Sequence, residues 1–139
     1  MKVKQIMSRQ VECVMRDSTL EEAARKMKEL DVGALPVVDR GKPAGVVTDR
    51  DLVLCGIAEG KDPAKTSVAE VMSQDIHWCD AEDELEEAGS VMSDKGVRRV
   101  LVRNGERKLA GILSLGDIAA NEPTRRIAGR VLAKVSGAC

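Results

Sequence analysis

The stretch GVVTDRDL, residues 45–52, is the part of the sequence that decides the fold. An apolar, strand-like run gives way there to a polar helix start, and the hydroxyl of Thr48 stands three residues before the carboxylate of Asp51. A stretch of the same shape, GILSLGDI, occupies residues 111–118 and places Ser114 three residues before Asp117. The chain therefore contains the same strand-to-helix junction twice.

The junctions belong to a longer internal repeat. A shift of 65 residues lays VKQIMSRQV, 3–11, over VAEVMSQDI, 68–76, and TLEEAARKM, 19–27, over ELEEAGSVM, 84–92. One extra residue in the second half then raises the shift to 66, and the two junctions coincide. Matched order over most of the chain indicates a duplication. Each copy is too short to be comfortably stable alone, so we expect the copies to share a core.

The first copy reads as a β-α-β-β-α unit. VECV, 11–14, alternates like a short strand, and Ser18 with Glu21 forms a predicted capping box before a helix. ALPVV and AGVV follow as two strands joined by the turn-rich DRGKP, and a second helix is predicted at about 49–59. The predicted apolar face of the first helix consists of Leu20, Ala23, Ala24, Met27 and Leu30.

The second copy repeats this order, so the sequence predicts an α+β fold of two such repeats. A strand is expected at 76–79, then a helix, then strands VRRVLV and LAGIL around Asn104-Gly105, which is a strong short-hairpin signal. A helix from Leu115 closes the copy. A terminal helix is predicted at 124–135, with Ile127, Val131, Leu132 and Val135 at helical spacing. The predicted boundaries are 1–62 for repeat 1, 63–122 for repeat 2 and 123–139 for the terminal helix and tail.

Composition argues against two classes of partner. The chain has 22 basic and 23 acidic residues, one Trp, and no Phe or Tyr, so it offers neither a cationic surface nor aromatic rings for nucleic acid. The start, MKVKQIMSRQ, lacks the apolar run of a secretory signal, and no later run is long enough to cross a bilayer. We expect a cytoplasmic protein without membrane or nucleic-acid partners.

The cysteines and the histidine give little support to metal or catalytic chemistry. Cys13, Cys55, Cys79 and Cys139 contain no CxxC pair, and His77 is the only histidine. The favoured interpretation is four small side chains in a reducing compartment, with a regulatory disulfide or a stray metal site as the alternatives. Because His77 is the one ordinary neutral-pH base and has no counterpart in the other copy, the sequence predicts no enzyme and no metal site.

Two interpretations of the doubled junction are compatible. Thr48 with Asp51 has the spacing of a capping box, and taken alone this is the favoured interpretation. The same geometry suits a ligand, since a carboxylate one turn into a helix can accept hydrogen bonds from the hydroxyls of a ribose. The glycines at 45 and 111 serve either a close approach to the backbone or a bulge.

The ordered set of motifs resembles the CBS-domain family, and specifically a stand-alone CBS pair, the Bateman module. The resemblance runs from about Val3 to Ala120 and rests on DVGALPVVDRGKPAGVVTDRDL, KGVRRVLVRNGERKLAGILSLGDI, the IM-S and VM-S openings, and the paired LEEA helices. It implies two repeats packed through their sheets with pseudo-two-fold symmetry. It also implies a regulatory module whose clefts bind AMP, ADP, ATP or S-adenosylmethionine, with no required cofactor, and which forms a homodimer and acts on an unidentified partner protein.

The resemblance also assigns residues. Asp51 and Asp117 match the family's ribose-binding carboxylates, and Thr48 and Ser114 match its hydroxyl positions. Arg50, Arg98 and Arg99 are the nearest cations for a phosphate, since guanidinium groups bind phosphate in bidentate fashion. The adenine pockets would draw on Ala34, Leu35 and Pro36 in one cleft, and on Val97, Val100 and Leu101 in the other, although each of these is expected to be a core residue.

The two copies also differ, and other functions stay open. Leu101 stands where the first copy has Pro36, and Leu115-Gly116 stands where it has Asp49-Arg50. One alternative function is a thiol-based redox or stress-responsive dimeric module without nucleotide binding. Another is a purely structural dimerisation module whose clefts are vestigial.

Overall fold

The computed structural model describes residues 1–9, 12–121 and 125–137, and these divide into two units. The first unit spans 12–76, and the second unit combines 1–9 with 77–121 and 125–137. The boundaries 1–62 and 63–122 are drawn between sequence repeats, and as repeat boundaries they remain a prediction. The units follow a different division. The opening segment of repeat 1, residues 1–9, belongs to the unit that contains the rest of repeat 2, and the opening segment of repeat 2, residues 63–76, belongs to the unit that contains the rest of repeat 1. The rest of each repeat is called its framework below.

The first unit contains a three-stranded sheet and two helices. Strand β1 is Val14–Met15, helix α1 is Leu20–Leu30, strand β2 is Ala34–Asp39, and strand β3 is Lys42–Thr48. Helix α2 begins as an α-helix at Asp49–Asp51 and continues as a π-helix at Leu52–Ile57. Strand β2 is central, parallel to β1 and antiparallel to β3. A short 3-10 turn, Val68–Glu70, completes the unit.

The second unit repeats this topology and adds a helix. A 3-10 turn lies at Val3–Gln5, strand β4 is Trp78–Asp80, and helix α3 is Leu85–Lys95. Strand β5, Arg99–Arg103, lies between β4 and strand β6, Leu109–Ser114. Helix α4, Leu115–Ala119, follows, and helix α5, Arg125–Gly137, packs against α3 and α4. The predicted α+β class and the β-α-β-β-α order of both copies are confirmed.

Each unit has its own apolar core, and both cores include the opening segment of the other repeat. Val68 and Val71 are buried in the first unit, and Val3 is buried in the second. The first core consists of Val14, Leu20, Ala23, Met27, Leu35, Val37, Val47, Leu52, Val68 and Val71. The second consists of Val3, Cys79, Leu85, Ala88, Met92, Val100, Val102, Leu113, Leu115, Ile118, Ala128, Val131 and Val135.

The predicted cap of α1 is wrong by one residue. The Glu22 N–H donates to Oγ1 of Thr19 over 3.2 Å, and the Thr19 N–H donates to Oε2 of Glu22 over 2.9 Å. Ser18, the predicted cap, instead accepts a hydrogen bond from the Met15 N–H over 3.1 Å in the turn after β1. Two adjacent hydroxyl residues each precede an acid by three positions, so the spacing alone could not choose between them.

The helix faces are narrower than predicted. In α1, Ala24 and Leu30 are exposed, while the other three residues predicted to form the apolar face are buried. In α5, Leu132 is exposed and Ala128 is buried in its place. The predicted strand residue Val11, the predicted helix start Thr124, and Cys139 lie outside the described residues. Across the part of the chain that the structure describes, no helix combines the length and apolarity that crossing a bilayer requires.

The two hairpins have different turns. Arg40 and Gly41, at φ 53° and 79°, form the tight connection between β2 and β3, because a two-residue hairpin turn of this kind requires positive φ at both positions. Asn104-Gly105, predicted as the short turn, lies in the longer loop 104–108. There the Asn104 side chain accepts hydrogen bonds from the Glu106 and Lys108 N–H groups, over 2.9 and 3.1 Å.

Each opening segment is bonded to the outer edge of a hairpin strand. In the first unit, Val46 and Ser73 exchange two backbone hydrogen bonds of 2.9 Å. In the second unit, Ser8 and Ile112 exchange two of 2.9 and 3.1 Å. The paired segments therefore cover part of an edge that would otherwise present unpaired backbone groups.

Candidate functional site

Both doubled junctions are capping boxes of the same geometry. At the first, the Asp51 N–H donates to Oγ1 of Thr48 over 3.1 Å, and the Thr48 N–H donates to Oδ2 of Asp51 over 2.9 Å. At the second, the corresponding distances between Ser114 and Asp117 are 3.0 and 2.9 Å. The predicted capping interpretation is correct at both positions.

Capping uses only part of each side chain. In both aspartates Oδ2 accepts the capping hydrogen bond, and Oδ1 accepts none from the residues that the structure describes. Asp51 and Asp117 are half-buried, as are Thr48 and Ser114. Each junction therefore holds a carboxylate in a defined orientation and leaves one oxygen able to accept hydrogen bonds from a ligand.

The start of each helix is also tied to the start of the central strand. The Asp49 N–H donates to the Gly33 carbonyl over 3.0 Å, and the Leu115 N–H donates to the Arg98 carbonyl over 2.8 Å. Beside these contacts, Thr48 lies opposite Ala34 in the sheet register, and Ser114 lies opposite Arg99. The structure therefore brings Arg98 and Arg99 to the junction of Ser114 and Asp117.

The three predicted arginines are all exposed. Arg50 lies in α2, and its backbone N–H donates to Oδ1 of Asp49 over 2.8 Å. None of Arg50, Arg98 and Arg99 forms an ion pair with a residue in the described ranges. Their guanidinium groups are thus available for an anion near each junction.

The apolar residues expected near an adenine are mostly buried. Leu35 and Val100 belong to the two cores, as the core interpretation requires, and Val97 is partly buried against the second. Ala34, Pro36 and Leu101 are buried as well, although they lie outside the two packed clusters. The expectation that these are core residues therefore holds at the five buried positions, all except Val97.

The duplicated glycines have a structural role that the sequence left open. A Cβ on Gly45 would lie 2.5 Å from the Ser73 carbonyl oxygen, and one on Gly111 would lie 2.5 Å from that of Ser8. The group that approaches each glycine is therefore the opening segment of the other repeat. The recurrence of the IM-S and VM-S openings beside AGVV and AGIL was the available signal, and sequence reasoning did not connect them.

A groove lies elsewhere in the second unit. It has a volume of about 440 Å³ and runs between the turn Asp80–Asp83 on one side and, on the other, Arg103 at the end of β5 with the loop that carries Arg107. Arg103 donates to Asp80 across it over 2.6 Å. None of the predicted site residues lines this groove, so its volume does not bear on the doubled junctions.

Cysteine chemistry is restrained by burial. Burial, followed by the charges of Asp83 and Asp80, raises the pKa of the Cys79 thiol from 9.0 to about 12. Burial also raises the pKa of Cys13. Cys55 is exposed in the π-helical part of α2. Within the residues that the structure describes, no group of three or more His, Cys, Asp or Glu side chains is placed to hold a metal ion.

Comparison with known proteins agrees with this architecture. The model of the CBS domain matches the chain twice, at residues 3–55 and 68–122. The CBS domain-containing protein YhcV of Bacillus subtilis is 39% identical over 134 residues, which cover 96% of this chain and 94% of YhcV. Hypoxic response protein 1 of Mycobacterium tuberculosis is 39% identical over 125 residues, which cover 89% of this chain and 87% of that protein.

Solved structures show the same fold. The crystal structure of Hypoxic Response Protein I with two coordinated zinc ions has a TM-score of 0.77 at 38% identity, over 88% of this chain and all of that one. The CBS domain pair of protein MJ0100, in complex with 5′-methylthioadenosine and S-adenosyl-L-methionine, has a TM-score of 0.74. Its identity is 23% over 94% of this chain and 98% of that one, so the likeness is one of fold. The twofold family match and the repeated β-α-β-β-α order show that this chain belongs to the CBS-domain family.

Proposed function

We propose that this chain is a non-catalytic regulatory module that binds an adenosine-containing ligand and signals to a partner protein. The ligand class is AMP, ADP, ATP or S-adenosylmethionine. The observation that carries the proposal is the pair of identical capping boxes, each of which orients an aspartate and leaves its Oδ1 without a partner in the described residues. A helix cap alone does not require aspartate at both positions, since the box that caps α1 uses Glu22.

The chemistry assigns a role to each group. Oδ1 of Asp51 or Asp117 would accept hydrogen bonds from the two vicinal hydroxyls of a ribose, as acids do in dinucleotide sites. Because Oδ2 is held by the cap, the carboxylate is oriented before the ligand arrives, which lowers the entropic cost of binding. Thr48 and Ser114 would lie beside the sugar, and Arg50, Arg98 and Arg99 would bind phosphate.

The MJ0100 pair supports the ligand class, because a pair of domains with this fold binds two adenosine compounds. The zinc ions of Hypoxic Response Protein I are a property of that protein. Signalling requires the ligand to bind two states of the module with different affinity, and a homodimer that presents a surface to a partner is the arrangement we propose.

Isothermal titration calorimetry with AMP, ADP, ATP, S-adenosylmethionine and adenosine tests the proposal. The informative variants are Asp51→Asn and Asp117→Asn, because the amide oxygen can keep the capping hydrogen bond while the carboxylate is lost. Glu22→Gln is the matched control, since it changes the same kind of box at α1. We expect at least one ligand to bind, with weaker binding in one or both aspartate variants and no change in the control.

Two results would contradict the proposal: no binding of any of the five compounds at millimolar concentration, or binding that both aspartate variants leave unchanged. The redox alternative predicts a cysteine pair that oxidises reversibly, measured as thiol counts by mass spectrometry with and without reductant. The raised pKa of Cys79 opposes this alternative, because the thiolate is the reactive form.

A further inference from the structure

The two junctions are equivalent in backbone geometry and opposite in charge. At the first, the helix begins Asp49-Arg50-Asp51, so one guanidinium stands beside two carboxylates. At the second, the helix begins Leu115-Gly116-Asp117 and carries a single carboxylate. The capping distances differ by no more than 0.1 Å, from 3.1 to 3.0 Å, so the difference lies in the side chains around the box.

The residues at the start of the two central strands increase the difference in charge between the junctions. The residues that meet the helix start are Gly33 and Ala34 in the first unit, and Arg98 and Arg99 in the second. Arg99 is the direct antiparallel neighbour of Ser114, so their side chains leave the same face of the sheet, with Cβ atoms about 4.5–5.5 Å apart. Arg98 precedes Arg99 and is joined to the helix start through its backbone carbonyl, so the second junction has two neighbouring arginines and one carboxylate.

These charged side chains are not held in ion pairs with other described residues. In the described ranges, no ion pair engages Arg50, Arg98 or Arg99, and all three are exposed. Asp49 is also exposed, and its partner is the Arg50 backbone N–H rather than a cation. An approaching ligand thus meets a local excess of one negative charge at the first junction and of one positive charge at the second.

We infer that the two junctions select ligands by charge, an inference that rests on the proposed function. The Ser114 junction binds an adenosine compound that carries phosphate, because two guanidinium groups can donate charge-assisted hydrogen bonds to phosphate oxygens. The Thr48 junction binds an adenosine compound without phosphate at its 5′ end, because Asp49 and Asp51 repel a polyanion. One module would then report on two different metabolite classes.

The test is calorimetry with three probes: ATP, adenosine and S-adenosylmethionine. The site is assigned by Asp51→Asn and Asp117→Asn, and charge is tested by the double variant Arg98→Gln/Arg99→Gln. We expect the double variant to weaken ATP binding about tenfold for each guanidinium–phosphate hydrogen bond lost, and to change adenosine binding less than about twofold. Arg107→Gln/Lys108→Gln is the matched control, because it removes two exposed positive charges at the opposite end of the β5–β6 hairpin and should leave ATP binding unchanged.

A gain of binding provides an independent check. Asp49→Asn removes one exposed negative charge from the first junction, so we expect ATP to bind there about three- to tenfold more tightly in low salt, with the gain reduced at high ionic strength. Circular dichroism melts establish that each variant is folded, and the exposed positions of Arg98, Arg99 and Asp49 favour this.

Failure of charge selection and failure of the proposed function would give different results in these experiments. If adenosine binds through Asp51 or Asp117 but the double arginine variant leaves ATP binding unchanged, charge selection is overturned and the proposed function stands. If ATP prefers the Thr48 junction, charge selection is overturned as well. If none of the probes binds, the proposed function fails and this inference fails with it.

Discussion

A single added methyl group tests how firmly the opening segment is held to the second unit. In Gly111→Ala, the new Cβ would lie 2.5 Å from the backbone oxygen of Ser8 and 2.8 Å from Sδ of Met7. The sulfur belongs to a flexible side chain and can move, but the carbonyl oxygen is backbone. Since φ of Gly111 is not left-handed, alanine itself is not strained, and the contact alone decides the outcome.

The expected loss of stability in Gly111→Ala follows from the contacts that the new methyl group must separate. Strand β6 is paired with β5 on its other edge, so the opening segment is the part that moves. Its displacement would break the two backbone hydrogen bonds between Ser8 and Ile112, worth about 0.5–1.5 kcal/mol each in net stability. Overpacking costs typically about 1–3 kcal/mol. Both estimates describe the cost of the same displacement, so we expect the free energy of unfolding to fall by about 1–3 kcal/mol.

The assay is urea unfolding followed by tryptophan fluorescence and circular dichroism. Trp78 is the only tryptophan and lies in β4 of the second unit, so its fluorescence reports on that unit. Gly105→Ala is the control, because a Cβ there has no neighbour within 4 Å and φ is not left-handed. Gly45→Ala should show a similar loss in the first unit, where the Ser73 oxygen takes the place of Ser8. A Gly111→Ala protein within about 0.5 kcal/mol of the parent would refute the reasoning.

Three further predictions concern caps, thiols and helix propensity. Thr19→Ala and Thr48→Ala should each lower the free energy of unfolding by about 1 kcal/mol in urea titrations, and only the second should also weaken ligand binding in calorimetry. Because the folded-state pKa of Cys79 is raised from 9.0 to about 12, the contribution of its neutral thiol to stability should be fully present below pH 9.0 and be lost as pH rises from 9.0 toward 12. Chemical denaturation at several pH values measures that slope, which Cys79→Ala should reduce; in thiol-labelling kinetics the exposed Cys55 should react before Cys79 in the native protein. Gly129→Ala, in an exposed part of α5 where a Cβ has no neighbour within 4 Å, should raise the melting temperature, with a gain of about 0.5–1 kcal/mol.

Local patterns predicted the elements well because the physics that sets them is local. Short apolar runs before Thr48 and Ser114, followed by an acid three residues after each hydroxyl, specify a strand end and a helix cap within one short window. The duplication then provided a second sequence from which each element could be predicted. The adjacent pair Ser18 and Thr19 shows the limit, since both satisfy the same spacing and only the helix register in three dimensions selects Thr19.

The hairpins show how one residue changes a turn. The shift of 65 becomes 66 between the aligned strands, so the extra residue of the second copy falls in the loop that contains Asn104-Gly105. The loop is then too long for a two-residue turn, and the dipeptide that best predicts such a turn does not form one. In the shorter first copy, Arg40-Gly41 forms it.

The long-range features could not be predicted from one sequence. Which repeat an opening segment packs on depends on contacts between residues about 25 to over 100 positions apart, such as Val46 with Ser73 and Ser8 with Ile112. Hydrophobic spacing contains no information about that choice. For the same reason, the sequence named Arg98 and Arg99 as candidates, but only the register beside Ser114 and the contact with Leu115 show how near the second junction they lie.

The exchange of opening segments also means that the inherited repeat and the folded unit are offset from each other. The duplication copied a stretch that begins near Val3 and again near Val68, yet the framework that each of these valines helps to bury comes from the other copy. A gene fragment that ends at a repeat boundary would therefore encode one framework without the opening segment that packs on it. The same fragment would carry an opening segment that packs on the other framework. Two such fragments expressed together would complement each other, whereas a cut near residue 76 would leave the first unit intact.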